Sequence, residues 1–185
     1  MTSSTVTSEF QALLLAEFLV EPRLRDEFGI SGTMSELAAQ FSEPVAKAIC
    51  AVVSSQTGLV LPPDAMEAVL KVVSAQQQMT LLSRSVADVL ATIRSPHDKY
   101  NSCCRSAICH AIVGAYDNAS GALYHASRVN DSWARHHHLY GLLHGARNRQ
   151  EKARYELEQA YAQEPWKESK VRIAQALALL KNPSA

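Results

Sequence analysis

The segment SWARHHHLYGLLHGARNRQEKARYELEQAYAQEPW, residues 132–166, holds four of the chain's seven histidines, and three of its four cysteines, Cys103, Cys104 and Cys109, crowd into seven residues upstream. Imidazole nitrogen and thiolate sulfur are zinc ligands, so the metal-ligating candidates are His137 or His138 with Cys103, Cys104 or His110. Their spacing argues against them. There is neither a CxxC pair nor a CxxCH haem attachment. Successive residues of a helix diverge by about 100°, so the HHH run offers one ring to each of three faces. The expectation is no metal and no cofactor. Cys109 and His110 fail as nucleophile and base for the same reason, and no third group stands ready to orient them. Gly-rich phosphate loops, GxSxG, HExxH and paired-carboxylate motifs are missing from the sequence, which points away from independent catalysis and names no catalytic residue.

These residues need elements to position them. With 185 residues and 47% apolar composition, the chain can build a real core. Lys+Arg and Asp+Glu are both 18, so no global basic field exists to draw nucleic acid. The charges are unevenly divided: 6 basic and 10 acidic side chains in residues 1–96 (6 − 10 = −4) against 12 and 8 in 97–185 (12 − 8 = +4). MTSSTVTSEFQALLL lacks a basic n-region and a cleavage site, and Glu17 interrupts the run ALLLAEFLV before membrane-spanning length. A cytoplasmic location, no membrane and reduced thiols packed as small hydrophobes are therefore expected.

Apolar residues recur at three- and four-residue spacing almost throughout, the pattern of an all-α protein. One amphipathic helix is expected over 8–28, kinked or divided by Pro22 and stopped by Gly29 and Gly32. Thr33 or Ser35 caps a short helix through Leu37 and Phe41. Another starts at Ser42-Glu43-Pro44 and ends near Gly58. Asp64 caps a long helix to about Arg94, with a core stripe running from Met66 through Val69 and Val73 to Leu82, Val86, Val89, Leu90 and Ile93. Ser95-Pro96 is the clearest boundary and divides an N-terminal helical region, 1–95, from 96–185.

A shift of 34 residues aligns Ala107 with Gly141, His110 with His144, Ala119 with Ala153, Leu123 with Leu157 and Ala126 with Ala160. This period and its small-large pattern resemble the tetratricopeptide repeat (TPR), well over 134–167, where Pro165 also falls into place, and less well over 100–133, where Asp131 stands in place of proline. The usual tryptophan at repeat position 4 is replaced by Cys103 and His137. The resemblance implies two helical hairpins followed by a closing helix at 167–181, an α-solenoid after an N-terminal helical bundle. His110 and His144 fall at position 11, inside each hairpin, where a half-buried ring giving an N–H to a carbonyl is expected.

The resemblance further implies a concave groove lined by the first helix of each hairpin. Its ligand-contact positions fall on Asn101, Cys104, Arg105, Ile108, Ala111 and Ile112 in the first unit. In the second they fall on Arg135, His138, Leu139, Leu142, Gly145 and Ala146, with Arg172 extending the line. Cationic heads at one end and an apolar floor at the other suit an acidic-amphipathic peptide or a chain-terminal carboxylate. The expected function is a non-catalytic peptide-binding adaptor or chaperone. An accessory subunit presenting a peptide to a modifying enzyme is the alternative, and a His/Cys metal-binding protein a more distant one. Two uses of the acidic N-terminal helices stay open: homodimerisation, or docking into the basic groove in cis.

Overall fold

The structure, a computed structural model, describes residues 3–55, 61–81 and 93–181, excepting the side chains of 3–5, 76–81 and 181. Among the described residues it is all-α, without a strand. The N-terminal elements are α1 (Ser3–Val20), α2 (Pro22–Glu27), α3 (Met34–Gln40), α4 (Glu43–Ser55) and α5 (Pro63–Leu81). The C-terminal elements are α6 (Pro96–Ile112), α7 (Tyr116–Val129), α8 (Ala134–Ala146), α9 (Gln150–Gln163) and α10 (Lys167–Lys181).

Pro22 divides the first helix instead of bending it. Glu21 is extended, and Pro22 takes the first position of α2, where a missing N–H costs nothing. The rings of Phe18 and Phe28, 5.3 Å apart and edge to face, pin α2 against α1. Thr33 is the cap of α3: its Oγ1 accepts from the Glu36 amide while Glu36 Oε2 accepts from the Thr33 amide at 2.6 Å, a capping box. Asp64 lies inside the first turn of α5, not at its cap, because Pro63 already starts the helix. Ile93 and Arg94 are not helical, so the long helix expected to reach them does not. Leu82, Val86, Val89 and Leu90 of its expected stripe, and Gly58, lie outside the described residues. Ser95 caps α6, its Oγ accepting from the Asp98 amide with Pro96 in the first turn.

Beyond this point the elements repeat. Ile112 and Ala146 end the first helices of two hairpins, Tyr116 and Gln150 begin the second, and each pair is 34 residues apart. The turns between them match bond for bond. The Ala115 amide donates to the His110 carbonyl at 2.9 Å and the Arg149 amide to the His144 carbonyl at 2.8 Å, with Gly114 (φ 80) and Asn148 (φ 56) left-handed at the same place. This is the Schellman closure, which needs one residue that tolerates positive φ. Within the second hairpin, a Cβ on Gly141 would stand 2.4 Å from Leu157 Cγ, so hydrogen at this position is what lets α8 and α9 approach.

The core runs unbroken from Val6 on α1 to Leu180 on α10. Residues 12–19 of α1 are all buried, as a helix apolar on every side must be. α1 packs against α6, α8 and α10 and also against α2 and α4. Packing thus crosses the Ser95-Pro96 break, with α1 belonging to both sides of it.

A groove filled by its own helix and a cleft at its mouth

The first helices of the two hairpins, α6 and α8, present their inner face to α1. On α8 this face carries His138, Leu142 and Gly145, spaced one turn apart. Phe10 of α1 is seated on Gly145: a Cβ there would lie 2.3 Å from Phe10 Cγ. Leu14 follows one turn later and shares a small apolar hollow with Ile108, Leu139 and Leu143. Gln11 of α1 donates from Nε2 to Tyr116 Oη at 3.0 Å. Of the positions expected to floor a groove, Ile108, Leu139 and Leu142 are buried. Ile112 is half-buried against the same core. Arg105 is half-buried on α6, outside the cleft described below.

At the C-terminal end of α1 the apolar floor gives way to charge. Glu17, 5% exposed, has its Oε1 2.9 Å from Arg172 Nε and 3.9 Å from His138 Nδ1. One turn on, Glu21 Oε2 accepts from Arg135 Nη2 at 2.6 Å, and Arg135 Nη1 reaches Asn101 Oδ1 at 3.5 Å. A buried carboxylate is costly unless paired, because nothing replaces its water. Burial pushes the Glu17 carboxyl upward, but His138, Arg172 and Arg135 together outweigh it and hold the group below its ordinary value. Burial pushes the His138 imidazole downward, and Arg172 and Arg135 add to this against the pull of Glu17. The pairing is a charged clamp with one acid buried on α1 and its partners on α8 and α10.

Beyond Glu21 lies a cleft of about 810 Å³. Asn101, Arg135, His138 and Arg172 line it together with the acids Glu17, Glu21 and Glu164, so these four sequence-derived positions meet in one place. Trp133, Trp166, His97 and Arg25 form its rim. Trp166 is 69% exposed, Trp133 is half-buried edge-to-face on Tyr100 at 4.6 Å, and Arg25 Nε is buried without a hydrogen-bond partner. The tryptophans, Arg25 and Glu21 escaped the sequence reading, because loop and helix-end residues carry no periodic signal. Glu17 had one: an acid inside a helix apolar on every side has to be buried.

The histidines separate as the run predicts, but with one exception. His138 faces α1, whereas His136 and His137 turn away from it, their rings 4.1 Å apart and inclined by only 35°. His110 and His144 lie inside their hairpins, yet Nδ1 of each has no hydrogen-bond partner, and burial lowers the pKa of both. The carbonyls of these same two residues serve the turn closures. The four cysteines are free thiols. Burial pushes Cys104 and Cys109 each up to about 12, so both are protonated at neutral pH. His110 joins no metal-type cluster among the described residues.

Comparison with protein-family models, with curated proteins and with solved structures finds no match to this chain.

Proposed function

We propose that this protein is a non-catalytic adaptor of the tetratricopeptide type, which holds its own N-terminal helix in the groove and receives a short acidic segment of a partner at the cleft beyond it. The observation that carries this reading is the grip of Arg172 and Arg135 on Glu17 and Glu21. Both arginines stand at positions expected to contact an acidic-amphipathic ligand, and α1 is an acidic, apolar helix. Its acids and apolar side chains are the groups such a ligand would bring, although α1 is apolar on every side and not amphipathic.

The cleft continues the same chemistry outward. Arg25 adds a guanidinium to the cleft lining, and planar guanidinium pairs with carboxylate through parallel hydrogen bonds. Trp133 and Trp166 offer faces for an apolar or aromatic neighbour, a combination common among residues that dominate interfaces. Free thiols are in keeping with a reducing, cytoplasmic setting.

The test is selection from a displayed random-peptide library on the full chain, followed by titration of the selected peptides against Arg25→Glu and Trp166→Ala. Acidic peptides are expected to be enriched and to bind each variant at least about tenfold more weakly, a difference of about 1.4 kcal/mol. No enrichment, or affinities unchanged in both variants, would contradict the proposal.

A further inference from the structure

The loop between α7 and α8 carries Asp131 over the first turn of α8, where His136 and His137 sit. A carboxylate oxygen of Asp131 and one ring nitrogen of each histidine lie within 4.8 Å of one another. His136 Nε2 is 3.3 Å from Asp131 Oδ1 but makes no hydrogen bond, on a side chain only 1% exposed.

The hydrogen bonds around Tyr100 explain why. Its hydroxyl donates to the Trp133 carbonyl at 3.1 Å and accepts from the His136 amide at 2.9 Å. It also contacts His136 Nδ1 at 3.1 Å. The hydroxyl proton can serve the Trp133 carbonyl or Nδ1, both at 3.1 Å; where it serves Trp133, Nδ1 is the protonated nitrogen and donates to Tyr100 Oη. Nε2 is then left with a lone pair aimed at a carboxylate. Two lone pairs at this distance repel unless a proton or a metal cation lies between them. With metal–ligand bonds of about 2.0–2.2 Å, neighbouring ligands of a tetrahedral ion are about 3.3–3.6 Å apart, and the observed separation falls in that range.

His137 is prepared in the same manner. Glu156 Oε2 lies 2.7 Å from its Nδ1, taking that proton and leaving Nε2 as the donor. A ligating histidine typically gives its other N–H to a carboxylate or hydroxyl, which fixes the tautomer and strengthens the ligand, and here both rings have such a support. Neighbouring helical residues diverge at Cβ, yet these two rings lie side by side. Asp131, with its side chain 81% exposed on a loop, has room to close the remaining distance.

We propose that Asp131, His136 and His137 form a binding site for a divalent ion of the zinc class, with its fourth position open to water. Two imidazoles and one carboxylate suit zinc; calcium and magnesium prefer shells of oxygen. A bound ion ties the inter-hairpin loop to α8 and, through Tyr100, to α6, and it stiffens the wall that holds Trp133 beside the cleft. The site does not depend on the adaptor reading.

The experiment uses the full chain without an affinity tag, stripped with a chelator and titrated with zinc by calorimetry and with cobalt by absorption spectroscopy. One ion per chain, the visible bands of tetrahedral cobalt and a zinc-dependent rise in melting temperature are expected. Asp131→Ala, a change on an exposed side chain, and His137→Gln should each keep the helical circular dichroism, weaken binding more than about tenfold and remove the cobalt bands. No stoichiometric binding to the wild type would overturn the site. So would one-to-one binding that both variants retain at unchanged affinity.

Discussion

Phe10 of α1 and Gly145 of α8 are in contact so close that a methyl group on Gly145 would lie 2.3 Å from the Phe10 ring. This pair fixes the depth at which α1 sits in the groove. Gly145→Ala is expected to cost about 1–3 kcal/mol by overpacking. Phe10→Ala, which empties the same place, should cost about 3–5 kcal/mol. The combination Gly145→Ala with Phe10→Leu should cost less than the sum of its parts, since the smaller side chain can move off the new methyl. Urea denaturation of the singles and the double measures this coupling, and strict additivity would show that the residues do not meet.

The clamp at Glu17 is a buried ion pair, so losing one partner should cost more than losing both. Arg172→Met leaves the carboxylate buried and poorly matched, at about 3–5 kcal/mol. Adding Glu17→Gln should recover part of that loss. A double-mutant cycle in denaturant reads the difference, and an Arg172→Met variant within about 0.5 kcal/mol of wild type would show the pair to be solvated.

Acid should weaken the fold in two windows. Glu17 has a folded pKa below its ordinary 4.5, so its contribution is complete above 4.5 and is lost as pH falls through the lower folded value. His110 and His144 have folded pKa values below their ordinary 6.5. The unfolded chain binds their protons first, so stability falls as pH drops below 6.5 and levels off once the folded rings also titrate. Melting temperatures from pH 7.5 to 3.5 should therefore decline in both ranges. His110→Gln should reduce the decline in the upper range, where His144 still acts, and leave the lower range unchanged; Glu17→Gln should flatten the lower range and, by removing the carboxylate that favours a protonated His138, deepen the upper.

The paired turns make a separate claim about the repeat. Gly114 has φ 80 and its counterpart Asn148 has φ 56. Gly114→Ala forces a Cβ into left-handed backbone and should cost about 1–2 kcal/mol, although nothing stands within 4 Å of the new atom. Asn148→Gly should change stability by no more than about 0.5 kcal/mol. Equal effects at both places, read by thermal denaturation, would contradict the turn geometry.

The helices and their period could be read from the sequence because each depends on local spacing. The small residues at Gly141, Ala153 and Ala160, and the breaks at Pro22 and Ser95-Pro96, announce close approach or a chain stop on their own. Docking of the acidic N-terminal helices in cis was one of two uses left open by the sequence, and which residues make the contact could not be read. Phe10, Leu14 and Glu17 are separated from Gly145, Ile108 and Arg172 by most of the chain, and no spacing rule connects them. The arginine positions were legible through the repeat; the acids they hold were not assigned to them. The metal-type cluster fell between two expectations: His137 was a candidate, but divergence along a helix argued against His136 as its neighbour. A first-turn position and a loop aspartate bring together what that rule keeps apart.

The most direct test of the filled groove is a nuclear Overhauser spectrum of the isotope-labelled full chain, examined for cross-peaks between the Phe10 ring protons and the Gly145 α-protons. The account predicts strong cross-peaks, with the Gly145 α-protons displaced by the ring current and returning toward ordinary shifts in Phe10→Leu. Assigned resonances for both residues with no cross-peak between them would place α1 elsewhere and leave the groove open, contradicting the claim that the chain supplies its own ligand.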